Sequence, residues 1–202
     1  MIAGMIRFLT GAQARWVGCA PEDKQRVYFA NHSSNLDGPV IWACLHPRIR
    51  HHTRMVGARD YWDANRIRRF IASRIFNVLL INRRRITRDD NPIADMEAAL
   101  DQGASLIIFP EGGRQDDEDA GLQPFKAGIY RIAQSHPALE FVPVFLDNLD
   151  RILPKGEVLP VPVMASVSFG EPLQLEADEQ RDAFLERARL AIEALQAQEQ
   201  SR

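Results

Sequence analysis

Short apolar runs alternate with amphipathic or polar segments along most of the 202 residues, and this alternation limits the fold more than any other feature. A run of four to eight apolar residues bounded by turn signals fits a strand covered on both faces, while the intervening segments carry helical spacing. Candidate strands fall at residues 27–30, 54–57, 78–81, 105–109, 140–146 and 164–169. Candidate helices fall at 37–45, 61–74, 92–102, 124–135 and 178–198. The third of these opens on Asn91 with Pro92 behind it, a capping residue followed by proline at the first helical position, and it stops before Gly103. The last one lines Phe184, Leu185, Ala188, Ile192 and Leu195 along one side and is otherwise charged, as a helix lying across a sheet would be. The pattern predicts an α/β fold, a single domain with a mixed, largely parallel sheet flanked by helices. With 46% hydrophobic residues the chain can bury a sizeable core.

No window reaches 18 apolar residues, the length a membrane-spanning helix needs. At the amino terminus, Ile2, Met5, Ile6, Leu9 and Trp16 fall on one face of a helix with Arg7 and Arg15 elsewhere. Such a helix suits a membrane interface or the protein's own core equally well. Residues 1–18 are accordingly read as an amphipathic, membrane-facing helix and residues 19–202 as the main domain. Cys19 and Cys44 form no C-x-x-C pair, so neither a disulfide framework nor a zinc site is expected, and a reducing cytosolic setting fits.

The net charge of -2 conceals a split. Residues 1–88 hold 16 of the 25 Lys+Arg and only 5 of the 27 Asp+Glu, and 12 arginines crowd residues 48–88. A surface of this kind attracts phosphates, anionic lipid or an acidic carrier protein, although a solvated charged face would give the same composition. Nucleic acid is not expected, because no zinc-finger spacing, basic zipper or RNA-binding aromatic motif accompanies the charge.

Three clusters carry chemistry. In "VYFANHSSNLDGP" an apolar run ends on Asn31 and His32, and Asp37 follows five residues later. Asp37 fits a helix N-cap, and His32 fits a hydrogen-bonded turn residue. Paired, they offer a carboxylate that fixes the imidazole tautomer and frees the other ring nitrogen to act as a general base. In "LIIFPEGGRQ" a strand discharges into Glu111, Gly112, Gly113 and Arg114, at the strand-end position where open α/β sheets place ligands. The glycines admit an anion close to backbone N–H groups, and Arg114 can grip a phosphate with its planar fork. In "VLLINRRR" a third strand runs into arginines, of which Arg83 is the inward candidate and Arg84 and Arg85 are at least partly solvated.

The order "NHSSNLD", "LLINR", "FPEGGR", "FVPVF" resembles the four blocks of the glycerolipid acyltransferase family, whose best-known bacterial members are 1-acylglycerol-3-phosphate acyltransferases. The blocks read N-H-x-x-x-x-D, F-I-x-R, F-P-E-G-T-R and V-P-V, and they span residues 31–144 here in the family's order. "GLQPFKAGIYRIA" resembles the segment after the third block and brings in Lys126. Gly113 stands where the family usually has threonine, and Leu80 replaces the aromatic of the second block.

This resemblance implies that His32 takes the proton of a lysophospholipid hydroxyl while Asp37 orients it. The oxygen then attacks the thioester of acyl-CoA or an acyl carrier protein. Arg83, Glu111, Gly112, Gly113, Arg114 and Lys126 would hold the acceptor's phosphate and glycerol, with no metal and no further cofactor required. The expected acceptor is 1-acylglycerol-3-phosphate, giving phosphatidic acid, with another lysolipid such as a lyso-aminolipid as the alternative. The expected location is peripheral, on the cytoplasmic face of a membrane. Two other readings compete: a hydrolase using His32, Asp37 and Glu111, with or without a metal helped by His46, His51 and His52, and a lipid-binding protein of the same fold without turnover. Mere binding needs neither His32 nor Asp37.

Overall fold

Seven strands among the described residues line up in the order β1-β7-β6-β2-β5-β3-β4. They are β1 (Gln13–Trp16), β2 (Arg26–Ala30), β3 (Thr53–Ala58), β4 (Leu79–Ile81), β5 (Ser105–Ile108), β6 (Glu140–Asp147) and β7 (Ser166–Phe169). The computed structural model describes residues 2–82, 91–113, 121–149 and 165–201. Every neighbouring pair is parallel except β6 and β7, which run antiparallel. Six strands coincide with the apolar runs, within one or two residues at each end.

The central strand β2 is buried along its whole length, and its side chains alternate between two cores. Tyr28 and Ala30 join one cluster with Val40, Ile41 and Phe169, while Val27 and Phe29 join the other with Ile132, Phe184 and Ile192. Helices α1 (Ile2–Thr10) and α2 (Asp37–Cys44) pack on the first face. Helices α6 (Pro92–Asp101), α7 (Gly128–Ser135) and α8 (Arg181–Gln200) cover the second. A strand apolar on both faces therefore needs helices on both sides, which is the layered α/β arrangement.

The amino terminus differs from its expected form. The helix covers Ile2–Thr10 and does not extend through residue 18: Gly11 adopts φ 58 and turns the chain, and residues Gln13–Trp16 form edge strand β1. Trp16 thus leaves the helical face and stacks on Phe169 of β7, with ring centroids 4.0 Å apart. A four-residue polar strand carries no apolar run, so periodicity could not find it.

The helix expected over residues 61–74 is broken into α4 (Arg59–Trp62), α5 (Arg66–Phe70) and a π-helical turn (Ile71–Ile75). Asn65 restarts the helix by accepting the N–H of Arg68 at 2.9 Å, the work of a capping residue. Between α2 and β3, residues Pro47–His52 form helix α3. Helix α6 follows its expected course, with the Asn91 side chain capping Ile93 N–H and Gly103 at φ 82 behind it. Arg83 to Arg85, Arg114 and residues 150–164 lie outside the described residues.

Candidate functional site

The parallel strands β2, β3 and β5 deliver their carboxyl ends to one edge of the sheet, and the dyad stands there. Asn31 ends β2 by using its side-chain amide in place of a further ladder pair: Nδ2 donates to the Leu146 carbonyl at 3.0 Å, and Oδ1 accepts the Leu146 N–H at 2.8 Å. The backbone leaves the sheet at that point and raises His32 above the strand ends. His32 Nδ1 lies 2.8 Å from Asp37 Oδ2, and the same oxygen accepts the N–H groups of Ser33 and Ser34, each at 2.8 Å. The ring stacks on Phe109, with centroids 4.2 Å apart.

Asp37 is therefore not the N-cap of α2. Leu36 holds that position without a side-chain cap, and the Asp37 carboxylate turns back onto the preceding loop. Complete burial pushes its carboxyl above the ordinary range, against the pull of His32 and the two serine N–H groups. Its Oδ1 is buried with no hydrogen-bond partner among the described residues. With the Nδ1 proton directed at Asp37, Nε2 keeps the lone pair that a general base needs.

The turn after β5 meets the dyad from the side. Glu111 accepts the backbone N–H of His32 at 3.0 Å and that of Gln123 at 3.2 Å. Burial raises its carboxyl, and these two N–H groups pull it back down. Gly112 adopts φ 74, and a Cβ there would fall 2.3 Å from Lys126 Nζ, so the lysine side chain lies directly over this glycine. Lys126 N–H is held by the Pro110 carbonyl at 2.9 Å. This tether explains why α7 starts at Gly128 and not at residue 124: the preceding residues are used to cross the β5 turn. Among the described residues no heavy atom lies within 4 Å of a Cβ added to Gly113, so nothing in its packing against them requires glycine.

His32, Gly112 and Lys126 line a cavity of about 720 Å³. Its apolar walls include Met55, Val56, Trp62, Met96, Ile108 and Ile129. Arg131 of α7 is a second cation on the lining, and sequence reasoning missed it because a lone arginine in a helix carries no signal. The close contact of Trp62 with Gly57 was equally hidden: a Cβ on Gly57 would lie 2.4 Å from Trp62 Nε1. His46, proposed as a ligand in the hydrolase reading, accepts the N–H of Arg48 and caps α3, and no group of three His, Cys, Asp or Glu among the described residues could hold a metal.

The sequence profile of the acyltransferase family matches residues 18–147. The chain belongs to that family. This acyltransferase also resembles, in fold, the crystal structure of the 1-acyl-sn-glycerophosphate acyltransferase PlsC from Thermotoga maritima, with a TM-score of 0.70 and 20% identity. The similarity covers 97% of this chain and 77% of that one. No curated protein matches it. In the acyltransferase the His32–Asp37 pair, the glutamate turn and Lys126 share one edge of the sheet. Arg83 and Arg114 lie outside the described residues, and Glu111 is engaged by backbone N–H groups.

Proposed function

We propose that this acyltransferase moves a fatty acyl group from acyl-CoA or an acyl carrier protein to the free hydroxyl of a lysophospholipid, with 1-acylglycerol-3-phosphate as acceptor and phosphatidic acid as product. The observation that carries the reading is the His32–Asp37 pair at the wall of an apolar cavity. His32 Nε2 takes the hydroxyl proton, and the freed oxygen attacks the thioester carbonyl carbon. The tetrahedral oxyanion collapses with cleavage of the C–S bond, and the departing sulfur receives the proton back from His32. The apolar lining suits an acyl chain, and Lys126 and Arg131 suit a phosphate. The residues supply proton transfer and charge unaided, so the reading calls for no cofactor. Gly113, which lacks the hydroxyl of the family's threonine, keeps a lyso-aminolipid acceptor as a second reading.

A peripheral site on the cytoplasmic face of a membrane goes with this chemistry, since lipid acceptor and product reside in a bilayer and the donor is soluble. Among the described residues no helix is long and apolar enough to cross a membrane. Support for docking comes from Phe8 on α1, 86% exposed, and from Ile67 and Phe70 on α5, 72% and 60% exposed between arginines. The deciding experiment incubates purified protein with a panel of lysolipids and both donor types, following thiol release and acylated lipid together. Acylated lipid formed in step with thiol is expected. Free thiol without acylated lipid would make the protein a thioesterase.

A further inference from the structure

We propose that Glu111 is a positioning residue that acts through His32 and does not contact the acceptor. This rests on the acyl-transfer reading above. Glu111 is 7% exposed, and each of its carboxylate oxygens already has a partner. Oε1 takes the N–H of His32, the residue that carries the base. Oε2 takes the N–H of Gln123, at the head of the segment that leads to Lys126. One buried carboxylate thus ties the base to the cation-bearing segment, across the carboxyl ends of β2 and β5.

The other contacts of His32 leave this work undone. Asp37 fixes the ring through Nδ1, and Phe109 covers one ring face, so both act on the side chain. Asn31 fixes the backbone one residue earlier, against β6. The Glu111 carboxylate holds the His32 backbone itself, and it does so from the turn that also places Gly112 under Lys126. Two backbone N–H groups aimed at one buried carboxylate form charge-assisted hydrogen bonds, which resist displacement by a substrate hydroxyl.

Two variants test the assignment. Glu111→Gln keeps the size but sets an amide N–H against one of the two backbone donors. Glu111→Asp keeps the charge but is one methylene too short to reach both. Each is expected to lower kcat about 10- to 100-fold, the scale of a misplaced reacting group, with any rise in acceptor KM, passed through Gln123 to the Lys126 segment, smaller than the loss in kcat. Combined with His32→Ala, neither should lower the residual rate further, because both changes act on one unit. Amide exchange at His32 and Gln123, followed by NMR without substrate, should accelerate in both variants. A raised acceptor KM at unchanged kcat would overturn the proposal, as would multiplicative losses in the His32→Ala background or unchanged amide exchange. If the wild-type protein acylates no lysolipid, the functional reading fails, and the exchange data still decide whether Glu111 holds His32.

Discussion

Asp37 Oδ2 accepts three donors at once: the imidazole Nδ1 of His32 and the backbone N–H groups of Ser33 and Ser34, all at 2.8 Å. The loop N–H groups hold the carboxylate in place so that it can hold the ring. His32→Ala should therefore lower kcat by about 10²- to 10⁴-fold, the usual contribution of a general base, with thermal unfolding little changed. Asp37→Asn can turn its single amide oxygen to the same three donors but brings no charge to the imidazolium that forms, so it should lose turnover and destabilise the fold by only about 1 kcal/mol. Steady-state rates and a thermal melt on the two variants check both statements.

Gly112 combines φ 74 with a lysine packed on its α-carbon. An alanine there carries left-handed strain of about 1–2 kcal/mol and displaces the Lys126 side chain. Gly112→Ala and Lys126→Ala should each raise the acceptor KM, and the double variant should be no worse than the poorer single one. Independent, additive effects would separate Lys126 from this turn.

Trp62 forms part of the cavity wall and fills the space beside Gly57. Removing the indole with Trp62→Ala should shift donor preference toward longer acyl chains, measured by competition among thioesters of graded length. Gly57→Ala should push the ring off β3 and cost about 1–3 kcal/mol by overpacking. A chain-length preference that does not move would put the acyl chain elsewhere.

Docking on an anionic membrane should depend unequally on the arginines. Arg66 and Arg74 have no ion-pair partner among the described residues, whereas Arg69 pairs with Asp63 at 3.0 Å. Neutralising Arg66 should weaken binding to anionic vesicles by roughly 1 kcal/mol, and neutralising Arg69 by less. Phe8→Glu and Ile67→Glu should release the protein more fully, at low and high salt alike, because they remove apolar insertion. Sedimentation with vesicles that is unchanged in all four variants would end the docking proposal.

Burial in α2 pushes the Cys44 thiol from its ordinary 9.0 up to about 11, against the pull of Arg7 and Arg50. The folded protein holds this proton more tightly than the unfolded chain does. The associated stability is fully present below pH 9 and is lost as pH rises through about 11. Cys44→Ala should flatten the alkaline limb of a stability-against-pH curve. The native thiol should also resist alkylation at pH 8, and rapid labelling there would show that α2 opens.

The strands were legible because β2, β5 and β6 are apolar runs that can exist only inside a covered sheet. Helix α6 was legible through Asn91, Pro92 and Gly103, whose local chemistry starts and stops a helix without outside help. Strand β1 and the break at Asn65 were not, since one depends on pairing with β7 and the other on a cap hidden inside a helical pattern. The dyad could be read from spacing, although spacing alone also allowed the cap that the structure removes.

The sequence by itself determined the layered α/β fold, the closeness of His32 to Asp37, and the family, because these rest on residues near one another in the chain or on runs with a fixed period. Tertiary structure alone decided that Asn31 closes β2 against Leu146, that Glu111 reaches back to His32, and that Arg131 and Trp62 share the cavity. The physical reason is distance along the chain. Partners separated by 79 residues, as His32 and Glu111 are, meet only when parallel strands bring their carboxyl ends to one edge, and no local pattern records which side chains arrive there.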